Sequence, residues 1–197
     1  PALTGNYRAE HVFALRPAVE LYDTYQGKLR DCDQELERTL SELNQQLEEP
    51  TASLPKKRNR QRSPNMPAVD LQSALVTLTG GVDLTQINGL RPFSALRIVA
   101  ACGTDTSRWP AVQHFTSWLT LAPGNKISGG KVLSTRTRRF SIRVTALLRI
   151  AAVTIGKTST ALGAFFRRIA ARAGQAKVVT ATALKIAVII YQILRPD

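Results

Sequence analysis

The sequence predicts an all-α protein, a long coiled-coil-like helical segment followed by a compact helical domain with a helix-hairpin-helix-like element. Three observations carry this. Tyr22, Leu29, Leu36 and Leu43 recur every seven residues, with Leu40 and Leu47 at the second seam position. From Ala68 onward, apolar residues return at helical spacing in successive runs separated by Gly, Pro and Ser/Thr clusters. No stretch shows convincing strand alternation.

At 197 residues the chain is long enough for one or two domains with a proper core. Its formal charge of +13 is unevenly placed. Residues 1–50 hold five basic and ten acidic residues, whereas 51–197 hold twenty-two basic and four acidic. Such asymmetry assigns a polyanion to the second part and a different task to the first. Neither a signal peptide nor a lipidation motif points to an anionic membrane surface. Cys32 and Cys102 lie in unrelated segments, which fits free thiols in a reducing cytoplasm. The chain opens at Pro1 without an initiator methionine, so a piece of a longer protein is expected.

Taken in order, Tyr7 to Glu49 reads as a long helix or helical pair within a 1–50 segment, with Pro17 starting or kinking it. Gln26 and Asp33 are weak points in the heptad seam. That seam fits either a dimer or packing on the rest of the chain. Residues 51–67 carry five basic residues and three prolines with almost nothing apolar, the composition of a basic flexible linker. Its KKRNRQR run suits either a solvated tether or a phosphate backbone.

The third segment, 68–197, is the expected helical domain. Val69, Leu71, Leu75, Val76 and Leu78 predict a helix ending at Gly80-Gly81. A short helix, the turn Ile87-Asn88-Gly89-Leu90-Arg91 and a second helix through Ala101 then resemble a helix-hairpin-helix. In that motif hairpin amides meet a DNA phosphate without reading bases. Arg91 stands where a second glycine is usual, so Asn88, Gly89 and Arg91 are candidate phosphate contacts, against a purely structural turn.

Val112, Phe115, Trp118, Leu119 and Leu121 give the next helix an apolar face, with His114 among them. With His11 the only other histidine and no ligand spacing at either cysteine, no metal centre is expected in this chain. The loop Ala122-Pro-Gly-Asn-Lys-Ile-Ser-Gly-Gly-Lys131 follows. It sets one hydroxyl, Ser128, between Lys126 and Lys131 beside Gly129 and Gly130, an arrangement suited to a phosphodiester. Most Ser-Gly-Gly tripeptides are turns, but here no Asp or Glu occurs between Thr106 and Pro196. Asn125, Arg136, Arg138, Arg139 and Arg143 extend the candidate nucleic-acid surface.

Apolar helices are predicted over Phe140 to Ile155, Leu162 to Ala173 and Val178 to Leu194. The last carries Lys185, two threonines and Gln192, and reads as a core helix in preference to a membrane span. Gly156-Lys-Thr-Ser-Thr160 mimics the end of a nucleotide-binding loop, but Arg149, Ile150 and Ala151 stand where its upstream glycine is required.

The runs LTGGVDLTQINGL, GTDTSRWPAVQHFTSWLTLAPGNKISGGKVLSTRTRR and ALGAFFRRIAARAGQAKVVTATALKIAVIIYQIL follow one another in the chain. Together they resemble the C-terminal half of the DEDD-type serine transposases of bacterial insertion sequences, the RNA-guided family also called bridge recombinases. GNYRAEHVFALRPAVELYDTYQ resembles the helical segment linking the two halves in that family. The resemblance implies that Ser128 is the serine nucleophile for DNA strand cleavage and exchange. It implies DNA and a guide RNA as partners, a dimer or tetramer, and a bacterial cytoplasmic location. It also implies that the family's domain of four metal-binding carboxylates is not within this sequence, so Mg2+ is expected in the full-length enzyme and the fragment alone should be inactive. Two rivals stand beside it: a non-catalytic helix-hairpin-helix nucleic-acid-binding protein that dimerises through its coiled coil, and a repair-type scaffold.

Overall fold

The computed structural model describes residues 5, 8–47, 66–134, 136–137 and 142–195. Tyr7, Phe140 and all of the expected linker except 66–67 lie outside these residues.

The first 37-residue element, α1 (Ala9–Gln45), is a single helix and not a pair. At 1.5 Å per residue it is about 55 Å long. Pro17 lies inside it, so the proline neither starts nor ends the helix. Exposed ion pairs from Arg38 to Glu35 (2.6 Å) and Glu42 (2.9 Å) lace its C-terminal half. Among the described residues, the hydrogen bonds and the buried contact that join it to the rest of the protein lie in that half. Leu40 is buried where it crosses α2 (Leu71–Leu78). Asn44 Nδ2 donates to the Ala74 carbonyl (3.2 Å), and Asp33 accepts from the Ala68 amide (3.0 Å). Val12, Leu15, Val19, Tyr22 and Leu29 remain exposed.

The α2 helix ends as its glycine pair predicts. Gly81 N–H returns to the Val76 carbonyl (2.8 Å) and Gly80 N–H to that of Thr77 (3.1 Å), the double bond of a Schellman cap. The expected short helix before the Asn88-Gly89 turn is one 3-10 turn, Leu84–Gln86, started by Asp83. Four hydrogen bonds converge on that carboxylate, from Thr85 N (2.9 Å), Thr85 Oγ1 (2.7 Å), Gln72 Nε2 (2.9 Å) and Gln86 Nε2 (2.9 Å). Burial opposes the charge, but these donors outweigh it and hold Asp83 below the usual carboxylate range.

Then come α3 (Pro92–Cys102), opened by Pro92 in its first turn, and α4 (Val112–Trp118). The chain continues through α5 (Arg143–Gly156), α6 (Ala161–Ala173) and α7 (Gln175–Leu194). The expected Phe140–Ile155 helix therefore begins at Arg143.

Helix α7 is the centre of the body. Val178, Thr182, Ala183, Ile186, Ala187, Ile190, Tyr191 and Leu194 are buried at helical spacing against α5, α6 and α4. It is long and apolar enough to cross a membrane, yet this stripe is spent on protein packing. Its C-terminal end closes an aromatic cluster, with Tyr191 packed 5.7 Å from Phe115, which meets Trp109 edge-on at 4.9 Å. Tyr191 Oη donates to the Trp109 carbonyl (2.7 Å), and Arg195 reaches both Tyr191 Oη (2.9 Å) and the Pro110 carbonyl (3.3 Å).

The domain is not wholly helical. Two strands, β1 (Lys126–Ser128) and β2 (Lys131–Ser134), form an antiparallel hairpin where only a loop is expected. Three and four residues leave no room for a readable alternation. The local signal is instead the two-residue Gly129-Gly130 turn, with φ +55° and +74°, as the tight hairpin turn compatible with strand twist requires.

Candidate functional site

The hairpin is an arm rooted between two core helices. Its first root leaves α4 through Thr120, which takes a left-handed backbone (φ +56°) unusual for a β-branched residue. Its second root enters α5 at Arg143. Thr145 Oγ1 donates to the Leu119 carbonyl at 2.5 Å, joining the two roots inside the core. At the arm's base, Gly124 N–H donates to the Arg136 carbonyl (3.1 Å), and a Cβ at Gly124 would lie 3.0 Å from that same oxygen.

Above the base, Ser128 pairs with Lys131 across the turn and Ile127 pairs with Val132. The register then skips to Lys126 opposite Ser134, leaving Leu133 as the extra residue of a bulge. The arm has little cover from the body. Ile127, Val132 and Leu133 are 63%, 56% and 68% exposed, and Asn125, Lys126, Ser128, Gly129, Gly130 and Lys131 are all exposed. The arm thus presents the Ser128 hydroxyl and Lys131 at its end, Lys126 and Arg136 toward its base, and three bare apolar side chains. Those apolar residues were not among the site candidates read from the sequence; β-branched Ile127 and Val132 flanking Ser-Gly-Gly-Lys are the signal that marks them.

The candidate residues fall into separate places. Arg143, exposed at the first turn of α5, is continuous with the arm. Arg138 and Arg139 lie outside the described residues. The Asn88-Gly89-Arg91 turn sits against the other end of α5. A Cβ on Gly89 would lie 2.9 Å from both the Ala151 carbonyl and Ile155 Cγ1. From Arg143 to that contact is roughly 15 Å along the helix. Gly89, at φ +88°, thus has a packing reason to be glycine. Arg91 is exposed and Asn88 half-exposed.

Two carboxylates of the helical domain are engaged by nearby serines. Asp70 accepts from Ser73 Oγ (2.8 Å), and Asp105 accepts from Ser107 Oγ (2.6 Å) and N (2.7 Å). Those Ser107 hydrogen bonds, side chain first, hold Asp105 below its ordinary range. His114 is exposed. Among the described residues no group of His, Cys, Asp or Glu could hold a metal ion. Both cysteines are free thiols, and burial pushes that of Cys102 up to about 11.

Neither a curated protein nor a solved structure matches the chain. Residues 83–167 match the model of the transposase IS116/IS110/IS902 family. That segment begins at the Asp83 turn, spans α3, α4, the hairpin and α5, and ends in α6. Its similarity to an IS110-type transposase supports a DNA transposase or recombinase role, with DNA as the implied partner.

Proposed function

We propose that this chain is the C-terminal part of a DNA transposase or recombinase that binds DNA and guide RNA and supplies Ser128 as the nucleophile for strand cleavage and exchange. The observation that carries the reading is the placement of that hydroxyl. It is exposed at the last strand position before a two-glycine turn, opposite Lys131, on an arm fixed at both roots to the core.

The chemistry follows from the groups at hand. Ser128 Oγ attacks phosphorus, a phosphorus–oxygen ester bond of the strand breaks, and the departing oxygen leaves as a hydroxyl end. The new phosphoserine ester retains the bond for rejoining. Lys126, Lys131 and Arg136, with Arg138 and Arg139, would neutralise charge on the phosphoryl oxygens. A serine hydroxyl is a weak nucleophile at neutral pH and must give its proton to a base. No His, Asp or Glu lies near Ser128 in sequence, so no base is local to the arm. The described residues hold no metal-ligating cluster, and the Mg2+-binding carboxylates would belong to a domain outside this sequence.

The non-catalytic helix-hairpin-helix reading has less support, since its glycine packs on α5 and its first helix is a single 3-10 turn. The deciding experiment is denaturing electrophoresis of labelled DNA incubated with full-length enzyme, Mg2+ and guide RNA. Wild type should give a protein–DNA adduct and Ser128→Ala none. The substitution should change stability by less than about 0.5 kcal/mol, as expected for an exposed side chain. An adduct that persists in Ser128→Ala overturns the assignment.

A further inference from the structure

The corner between α6 and α7 stands clear of the helical body, with every residue from Ala171 to Lys177 exposed. Helix α6 leading into it has two unlike faces. Gly163 and Phe166 are buried and Leu162 and Ile169 half-buried, while Ala161, Ala164, Arg168, Ala171 and Arg172 are exposed. Apart from Arg167, that exposed face carries only alanine methyls and two arginines one turn apart.

Adjacent arginines here have different fates. Arg167 folds back, its Nη1 donating to the carbonyls of Thr158 (2.7 Å) and Gly156 (3.2 Å) at the end of α5. Arg168 instead sits over the Phe165 ring, 6.0 Å from its centroid. The ion pairs found among the described residues all lie at the N-terminal end, between Arg8 and Glu42, and none involves Arg168, Arg172 or Lys177. With no Asp or Glu from Thr106 to Pro196, this corner has no counter-charge in its own sequence neighbourhood. Like charges gathered this way repel one another until a polyanion neutralises them.

We propose that the exposed face of α6, with Arg168, Arg172 and Lys177, is a second docking surface, separate from the hairpin, for duplex DNA. A helix about 20 Å long with alanine on its face is slim enough to lie along a major groove about 12 Å wide. Its arginines then reach the flanking phosphates, and alanine methyls have no donors with which to read base edges. Binding is therefore to the backbone and not to sequence. The deep, narrow major groove of A-form RNA does not admit such a helix. Arg168, Arg172 and Lys177 lie beyond the matched segment, which ends at Arg167. The surface does not depend on Ser128 being a nucleophile.

The test is the salt dependence of duplex DNA binding, read by fluorescence anisotropy with the 197-residue chain. R168Q/R172Q/K177Q should flatten the slope of log K against log salt by about 0.9 for each phosphate that is no longer neutralised, and weaken binding at least about tenfold at low salt. R167Q removes the same charge from the neighbouring position and should keep the wild-type slope. Ala171→Glu puts a carboxylate on the exposed face in a residue that favours helix, and should weaken binding about tenfold with the melting temperature retained. An unchanged slope in the triple variant, or equal flattening by R167Q, overturns the proposal. So does unchanged affinity in Ala171→Glu, should the triple variant fail to fold. Tighter binding of an RNA duplex of the same sequence, or of phosphatidylglycerol vesicles, with the same weakening in the variants, overturns the assignment to DNA.

Discussion

Thr145 Oγ1 donates to the Leu119 carbonyl at 2.5 Å, both residues fully buried, and so ties the first turn of α5 to the end of α4. The serine arm leaves the core just after Leu119 and returns just before Thr145, so this bond closes the arm's base. Thr145→Val keeps the shape and removes the donor, leaving a buried carbonyl unsatisfied. It should cost about 1–3 kcal/mol in urea unfolding. Thr145→Ser should recover most of that loss, because the hydroxyl remains. If valine were as stable as threonine, the bond would not hold the roots together.

Gly89 tests the packing of the Asn88-Gly89 turn on α5. Gly89→Ala meets both an unfavourable φ and overlap with the Ala151 carbonyl and Ile155. Strain and overpacking together should cost roughly 2–5 kcal/mol. Gly80 is the internal control, since it too has a positive φ (+66°) but opens into free space. Gly80→Ala should therefore lose only about 1 kcal/mol. Equal losses at the two positions would mean that α5 does not press on Gly89.

The helices of the body were legible because their cores are local patterns. Val178, Thr182, Ile186 and Ile190 repeat at the period of a helix whatever they pack against. The hairpin was not, because its strands are three and four residues long and its apolar side chains face solvent. A pattern of burial cannot announce an element that buries so little. Thr145 is a second blind spot. A threonine within an apolar helix looks unremarkable until its partner, 26 residues earlier, is known. Ser128 with its lysines was visible as a candidate from the glycine-rich basic loop that holds it. That it stands at the tip of a paired arm, and that Asn88-Gly89-Arg91 lies toward the opposite end of α5, required the fold. In α1, Leu29 and Leu40 belong to one heptad pattern, yet one is exposed and the other buried on α2. Periodicity marks a seam without naming what covers it.

The exposed part of that seam leads to the last prediction. Val12, Leu15, Val19, Tyr22 and Leu29 follow a heptad repeat along α1 and are all exposed. They should pair with the same stripe of a second copy, making the chain a dimer in solution. Leu36 and Leu40 are poor probes of this, because one is half-buried and the other buried in the same chain, so a charge there would also damage the contact with α2. Leu29→Asp avoids that confusion. An unpaired carboxylate in a closed seam costs several kcal/mol, enough to dissociate a short coiled coil. Sedimentation equilibrium should give a dimer for wild type and a monomer for Leu29→Asp, with the unfolding of the helical body unchanged. A wild-type chain that stays monomeric at high concentration would leave the exposed seam without a second copy as its partner, and α1 with the contact that its C-terminal half makes on α2.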